Sequence, residues 1–203
     1  ICFNICEGHF GDAREAQVPA ILEMLRIPYT GSKILTLALS LDKPMTKRLL
    51  YWQDLPTPAF QVFDRPDQAM DDDLAFPLFA KPSREGTGMG VSAESIVYNE
   101  AELRAQVRHL LEKYQQPVLV ERYIEGREVT VGVIGNLQRP ASRRLPEGWC
   151  GSNLLEGLHF FPPLEIDLTQ FLNTDGVYSN RLKVDLADQL NYLCPAPLDS
   201  SLV

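Results

Sequence analysis

Four residues and one loop carry the chemistry that can be read from this chain. Lys81 leaves a short apolar run, Phe76 to Ala80, and enters a polar, glycine-rich stretch from Ser83 to Gly90. Glycine lets the backbone approach a ligand closely and adopt positive φ, so successive N–H groups can converge on phosphate oxygens. Lys43 stands upstream at the start of a helix signal, Glu121 closes the run PVLVE, and Glu128 opens EVTVGVIG. Two lysines suit phosphates, and two carboxylates, which only accept, suit an exocyclic amine and ribose hydroxyls. Each feature also has an ordinary reading. The loop could be a plain hairpin connection with Lys81 in solvent, Lys43 a solvated helix residue, and Glu121 and Glu128 rim charges paired with Arg122 or Arg127. Several nucleotide motifs are excluded: the chain has no G-x-x-x-x-G-K-[ST], no dinucleotide fingerprint, and neither H-R-D nor D-F-G.

The elements that must position these residues follow from pattern and punctuation. Ile1 to Ile5 reads as a buried strand, followed by a loop with Glu7-Gly8 and Gly11. Pro19 suits the first turn of a helix whose apolar face holds Ile21, Leu22 and Leu25, ended by Arg26 to Gly31. Ser32 is the expected cap of a second helix running through Leu41. Asp42 is the expected cap of a third, with Pro44 in its first turn, where a missing N–H costs nothing. The string LPTPAF, Leu55 to Phe60, is a rigid connection into a strand over Ala59 to Phe63. An acidic turn, Asp71 to Asp73, precedes the Lys81 strand. Asn99 and Glu102 announce a helix with Leu103, Val107, Leu110, Leu111 and Tyr114 on one face.

Pro117 to Glu121 reads as a buried strand. Gly126 makes a turn, and Glu128 to Gly135 alternates like one strand with a half-buried face. A loop is expected over 139–153, a strand from Leu158 to Leu168, and a turn-rich surface segment over 173–180 leading to Lys183. Glu165 and Asp167 would share one side of their strand as a rim pair.

Composition narrows the class. A 203-residue chain with 45% apolar and 23% charged residues is of globular type. Its net charge of −8 argues against a broad nucleic-acid or anionic-membrane surface, although local lysines can still dominate a cleft. Cys2, Cys6, Cys150 and Cys194 form no C-x-x-C pair and have no histidines at zinc spacing, as expected of idle thiols in a reducing cytosol. No apolar run is long enough to span a bilayer. The start, ICFNIC, has neither Met nor a signal region, so the chain is expected to begin inside a larger protein.

In this order the features resemble the ATP-grasp fold, an α/β (α+β) architecture, and specifically the D-alanine–D-alanine ligase family. The resemblance rests on FNICEGHFGDAREAQVPAILEMLRIPYTGS, LDKPMTKRLL with LPTPAF, FPLFAKPSREGTGMGVS, VLVERYIEGREVTVGVIGN and LKVDLADQLNYLCPAP. It implies the end of a pre-ATP-grasp, Rossmann-like domain over 1–41, a small ATP-grasp subdomain over 42–127, and the start of a large one over 128–203. It also implies residue roles. Lys43 and Lys81 would contact ATP phosphates, and the loop Glu85, Gly86, Thr87, Gly88 to Gly90 would close over them, Thr87 near the substrate. Glu121, Arg122 and Ile124 would frame the adenine, Glu128 would hold the ribose, and Lys183 would reach the transferring phosphate from a lid.

The implied reaction phosphorylates a D-alanine carboxylate with ATP and Mg2+, after which a second D-alanine amine attacks the acyl phosphate, supplying a peptidoglycan precursor in the cytoplasm. The expected partners are ATP and D-alanine or a similar amino acid, without nucleic acid or membrane, and with a homodimer left open.

Three departures stand out. Glu7-Gly8 replaces the usual His-Gly, Val184 follows the lid lysine where an aromatic is common, and no N-x-x-P-G pattern is present. The family's substrate-binding glutamate is expected before Ile1, and its catalytic arginine and magnesium ligands beyond Val203. The chain alone is therefore expected not to turn over. Two alternatives stay open: a ligase of the same fold acting on another amino acid or small peptide, and a nucleotide-binding protein without catalysis.

Overall fold

A computed structural model describes residues 1–136, 157–171 and 176–199. The loop expected over 139–153 and the first part of the segment over 173–180 lie outside them. The chain forms two compact units, one of 1–125 with 171–187, the other of 126–170 with 188–203.

The first unit is built on a four-stranded antiparallel sheet in the order β1 (Phe60–Phe63), β4 (Val118–Arg122), β2 (Leu78–Pro82), β3 (Ile96–Val97). Strand alternation sends successive side chains to opposite faces. Leu78, Ala80, Val118 and Val120 therefore meet α4 (Glu100–Tyr114), where Leu103, Val107 and Leu110 complete a core with Phe63 and Val97. Phe79, Lys81, Leu119 and Glu121 take the other face, with Phe79 opposite Glu121 and Lys81 opposite Leu119. The alternation of β2 thus decides that Lys81 points away from the core.

The caps follow the expected chemistry at α3 (Lys43–Trp52) and α4. Asp42 Oδ1 accepts from Met45 N at 2.9 Å, and Asn99 Oδ1 accepts from Glu102 N at 3.0 Å. Glu102 in turn accepts from Tyr98 N at 2.8 Å, one residue before the cap. Asn99→Ala is expected to cost about 1 kcal/mol, read as a lower urea midpoint with an unchanged slope.

Several expectations are corrected. The strand over Ile1 to Ile5 is a single parallel bridge, Cys2 to Tyr29, and Ile1, Phe3 and Ile5 are exposed, because no described strand lies beside them. In α1 (Gln17–Met24) Pro19 is buried, but Ile21 and Leu25 are exposed. Lys33, not Ser32, precedes α2 (Ile34–Leu41), and it makes no side-chain cap. A short 3-10 turn over Ala93–Ser95 leads into β3, neither of which the pattern announced.

In the second unit the expected strand over 128–135 is two, β5 (Glu128–Thr130) and β6 (Val133–Gly135), both exposed throughout. The segment over 158–168 divides likewise into β7 (Leu158–Phe160) and β8 (Leu164–Asp167). Pro162 and Pro163 have no N–H to offer a ladder, which ends β7. The halves part company: β6 pairs with β7, while β5 pairs with β8, and β8 with the unforeseen β9 (Asn191–Leu193). Where they diverge, a side chain at Gly132 would come within 3.2 Å of the Phe161 ring. Glu165 and Asp167 are not a pair. Glu165 is buried and takes Arg127, whose Nε donates at 2.6 Å, while Asp167 accepts from Thr169 N at 2.9 Å.

Cys2, Cys6 and Cys194 are free thiols. Among the described residues no helix is long and apolar enough to cross a membrane.

Candidate functional site

The open face of β2 and β4 carries a cluster of charge. Lys81 Nζ lies 2.5 Å from Glu121 Oε1, and Lys47 Nζ lies 2.7 Å from Glu121 Oε2. Burial alone would push the Glu121 carboxyl up, but Lys81 and Lys47 outweigh it and hold it below the ordinary carboxylate value. Lys47 is itself buried, donates to Thr57 Oγ1 at 2.8 Å and lies 5.1 Å from the Phe60 ring centre.

Lys43 opens α3 beside the glycine loop. Its backbone N–H donates to Ser83 O at 3.1 Å, and its ammonium to Glu85 O. Burial, with the like charge of Lys81 next, lowers its pKa to about 8. The fall from the ordinary 10.5 corresponds to a penalty of about 3 kcal/mol on the charged form. An incoming anion relieves that penalty, so this position favours negative charge. Affinity for an inorganic phosphate probe is accordingly expected to weaken as pH rises through about 8 and Lys43 loses its proton, a trend measurable by calorimetry between neutral and mildly alkaline pH.

The loop is held from several sides. Arg14 Nη2 meets Glu85 Oε2 at 3.0 Å, and Gln116 Nε2 donates to Glu85 Oε1 at 2.7 Å. Arg84 bridges Asp42 at 2.9 Å and Asp12 at 3.0 Å. Asn180 Nδ2 donates to Thr87 O at 2.9 Å, which seats the loop against α5 (Asn180–Val184). Thr87 adopts φ 51°, and its hydroxyl is 3.4 Å from both Glu7 oxygens.

The first unit thus brings together Lys43, Lys81, Glu121 and the loop Glu85, Gly86, Thr87, Gly88, Gly90. Lys183 rides on α5, its ammonium 4.4 Å from the Tyr178 ring centre. Arg122 and Ile124 are exposed at the end of β4. Glu128 belongs to the second unit, opposite Ile166. The ordinary pairings are not the ones formed: Glu121 takes lysines rather than Arg122, and Arg127 takes Glu165 rather than Glu128. Lys47 is the residue that sequence reasoning missed. Its signal was its place four residues after Lys43, one turn along the same helical face.

A family model, the D-ala D-ala ligase C-terminus, matches residues 49–145. The D-alanine–D-alanine ligase of Syntrophotalea carbinolica is 37% identical over 202 residues, covering 100% of this chain and 55% of that protein. An uncharacterised protein, y4sG, of Sinorhizobium fredii is 41% identical over 134 residues, 66% of this chain and 39% of its own length. Among solved structures, the Bacillus anthracis D-alanine–D-alanine ligase complexed with ATP matches with a TM-score of 0.55 and 25% identity, over 79% of this chain and 45% of that one. The chain spans about half the length of the curated relatives it matches.

An antiparallel sheet with a lysine before a glycine loop, matched to those structures, is the ATP-grasp fold. With that sheet and the sequence matches together, the chain belongs to the D-alanine–D-alanine ligase family.

Proposed function

We propose that the open face of β2 and β4 binds the phosphates of ATP, and that the whole protein uses this site to join two D-alanines. One observation carries the reading: two lysines, one with its charge disfavoured by burial, stand beside a loop whose glycines allow a close backbone approach. An anionic phosphate chain satisfies both lysines and the loop N–H groups at once.

Lys43 and Lys81 hold the phosphates, Glu85 to Gly90 cover them, and Thr87 lies towards the substrate. Glu121, Arg122 and Ile124 frame the adenine, Glu128 takes the ribose, and Lys183 reaches the transferring phosphate. The γ-phosphoryl passes to a D-alanine carboxylate and ADP leaves. The amine of the second D-alanine then attacks the acyl carbon, and phosphate departs as the amide forms. The chain's residues contribute positioning and charge neutralisation. Magnesium accompanies the nucleotide, and its role is to neutralise phosphate charge. Among the described residues no three His, Cys, Asp or Glu side chains converge as a metal site, so no ligand is assigned here. The use of ATP places the reaction in the cytoplasm.

Glu7 favours a second reading for the amino acid. A carboxylate stands beside Thr87 where the family usually has histidine, which suits a substrate other than D-alanine with an extra donor or positive charge.

Calorimetry with ATP, with and without magnesium, tests the site. Lys81→Ala and Glu128→Ala are each expected to weaken binding about tenfold or more, about 1.4 kcal/mol. A folded protein that binds no nucleotide, or binds it equally well without Lys81, overturns the reading.

A further inference from the structure

Lys47 has no part in the site as assigned so far, yet it is the most enclosed charge on the open face. Its side chain is 8% exposed against 23% for Lys81, although both meet the same carboxylate. Its surroundings are fixed by the fold. Strand pairing sets Phe60 directly opposite Glu121, and Lys47 reaches down from α3 to lie against both. Thr57, from the rigid connection before β1, accepts a further hydrogen bond from the ammonium. Lys47 therefore has three anchors and little room to move, whereas Lys81 has one carboxylate oxygen, a flank against the Phe79 ring at 5.5 Å, and more access to solvent.

We propose that Lys47 is a positioning residue: it fixes the Glu121 carboxylate and keeps it ionised, so that Lys81 can leave it for an anionic ligand. The inference rests on the phosphate reading above. A buried carboxylate stripped of its only cation is strongly disfavoured, which would oppose the transfer of Lys81 to a phosphate. Glu121 avoids that state because its two oxygens are served by different lysines. When Lys81 moves, Lys47 remains and one carboxylate oxygen is freed in an orientation already set. Glu121 then offers an acceptor to a donor group of the same ligand. The two lysines are consequently not equivalent: Lys81 exchanges partners and Lys47 does not.

The test uses two readouts on the protein. In the free protein, the Glu121 carboxyl is followed by 13C NMR, assigned with Glu121→Gln. Lys47→Met is expected to raise its midpoint clearly, and Lys47→Arg to leave it low. Thr57→Val, a milder change should Lys47→Met fold poorly, shifts it the same way by less. In the second readout, MgATP affinity is measured in a double-mutant cycle. Lys47→Met is expected to weaken binding about tenfold beside Glu121 and less than about twofold in the Glu121→Gln background, because its effect acts through the carboxylate.

An unmoved Glu121 midpoint in Lys47→Met overturns the proposal, and so does an equal loss in both backgrounds, which is what a merely structural lysine gives. Absence of nucleotide binding by the wild type overturns the phosphate reading and the exchange of Lys81 with it. The titration then still decides whether Lys47 fixes Glu121.

Discussion

Glu121→Ala is expected to lower the stability of the first unit by about 3–5 kcal/mol at pH 7. The loss comes less from the missing attraction than from what stays behind. Lys47 is buried, and without Glu121 its ammonium keeps only the Thr57 hydroxyl and a ring face. Lys81 loses its carboxylate at the same time. Glu121→Gln retains the shape and one acceptor oxygen and should lose less. The pH dependence has a definite sign. Because the folded protein holds Glu121 below its ordinary value, its contribution is complete above the unfolded pKa, near 4.5, and is lost as pH falls through the folded one. Urea unfolding at pH 7 and at successively lower pH should therefore show the wild type and Glu121→Ala converging in acid. A constant gap would assign the effect to packing.

Gly90→Ala is expected to cost about 2–5 kcal/mol, combining about 1–2 for a left-handed backbone with about 1–3 for overpacking. Gly90 has φ 76°, and an added Cβ would lie 2.5 Å from Pro82 Cγ and 3.1 Å from the Tyr114 ring. Pro82 is a rigid ring buried at the end of β2, so it cannot swing aside. Gly86→Ala is the control. Its nearest neighbour would be Glu15 Oε1 at 3.7 Å, and the change should stay within about 0.5 kcal/mol. Thermal melts of the two variants separate a glycine demanded by packing from one left free in the loop. If Gly90→Ala melts with the wild type, the loop does not pack as described.

These two sites also show where reading the sequence succeeds. The helix caps at Asp42 and Asn99, the α4 face and the apolar strands were legible because each is a local rule acting on neighbouring residues. The Lys81 strand itself was legible as a short apolar run, but the side that Lys81 takes follows only from its pairing with β4. The three loop glycines looked alike, since what distinguishes Gly90 from Gly86 is Pro82 and Tyr114, which the loop alone does not reveal. Lys47 was passed over for a similar reason: a lysine inside a helix reads as solvated until the register of Phe60 and Glu121 is known. The 128–135 run misled because its alternation was real but shared between two partners, β8 and β7. Ile1 to Ile5 has a strand's composition with no strand beside it among the described residues.

The path of the chain has a consequence of its own. It leaves the first unit after Glu125, returns at Phe171 and departs again after Ala187. The returning piece is not superficial: Val177, Ser179 and Leu182 are buried, and Asn180 grips the glycine loop. The first unit is therefore assembled from two stretches of polypeptide, with the second unit serving as the cord between them. Such a cord keeps the two stretches at an effective concentration that dilution does not change. Cutting it at an engineered protease site would turn a folding step that is independent of dilution into an encounter between two fragments. The nicked protein would then reassemble its lysine-bearing segment, Lys183 included, only as far as concentration allows.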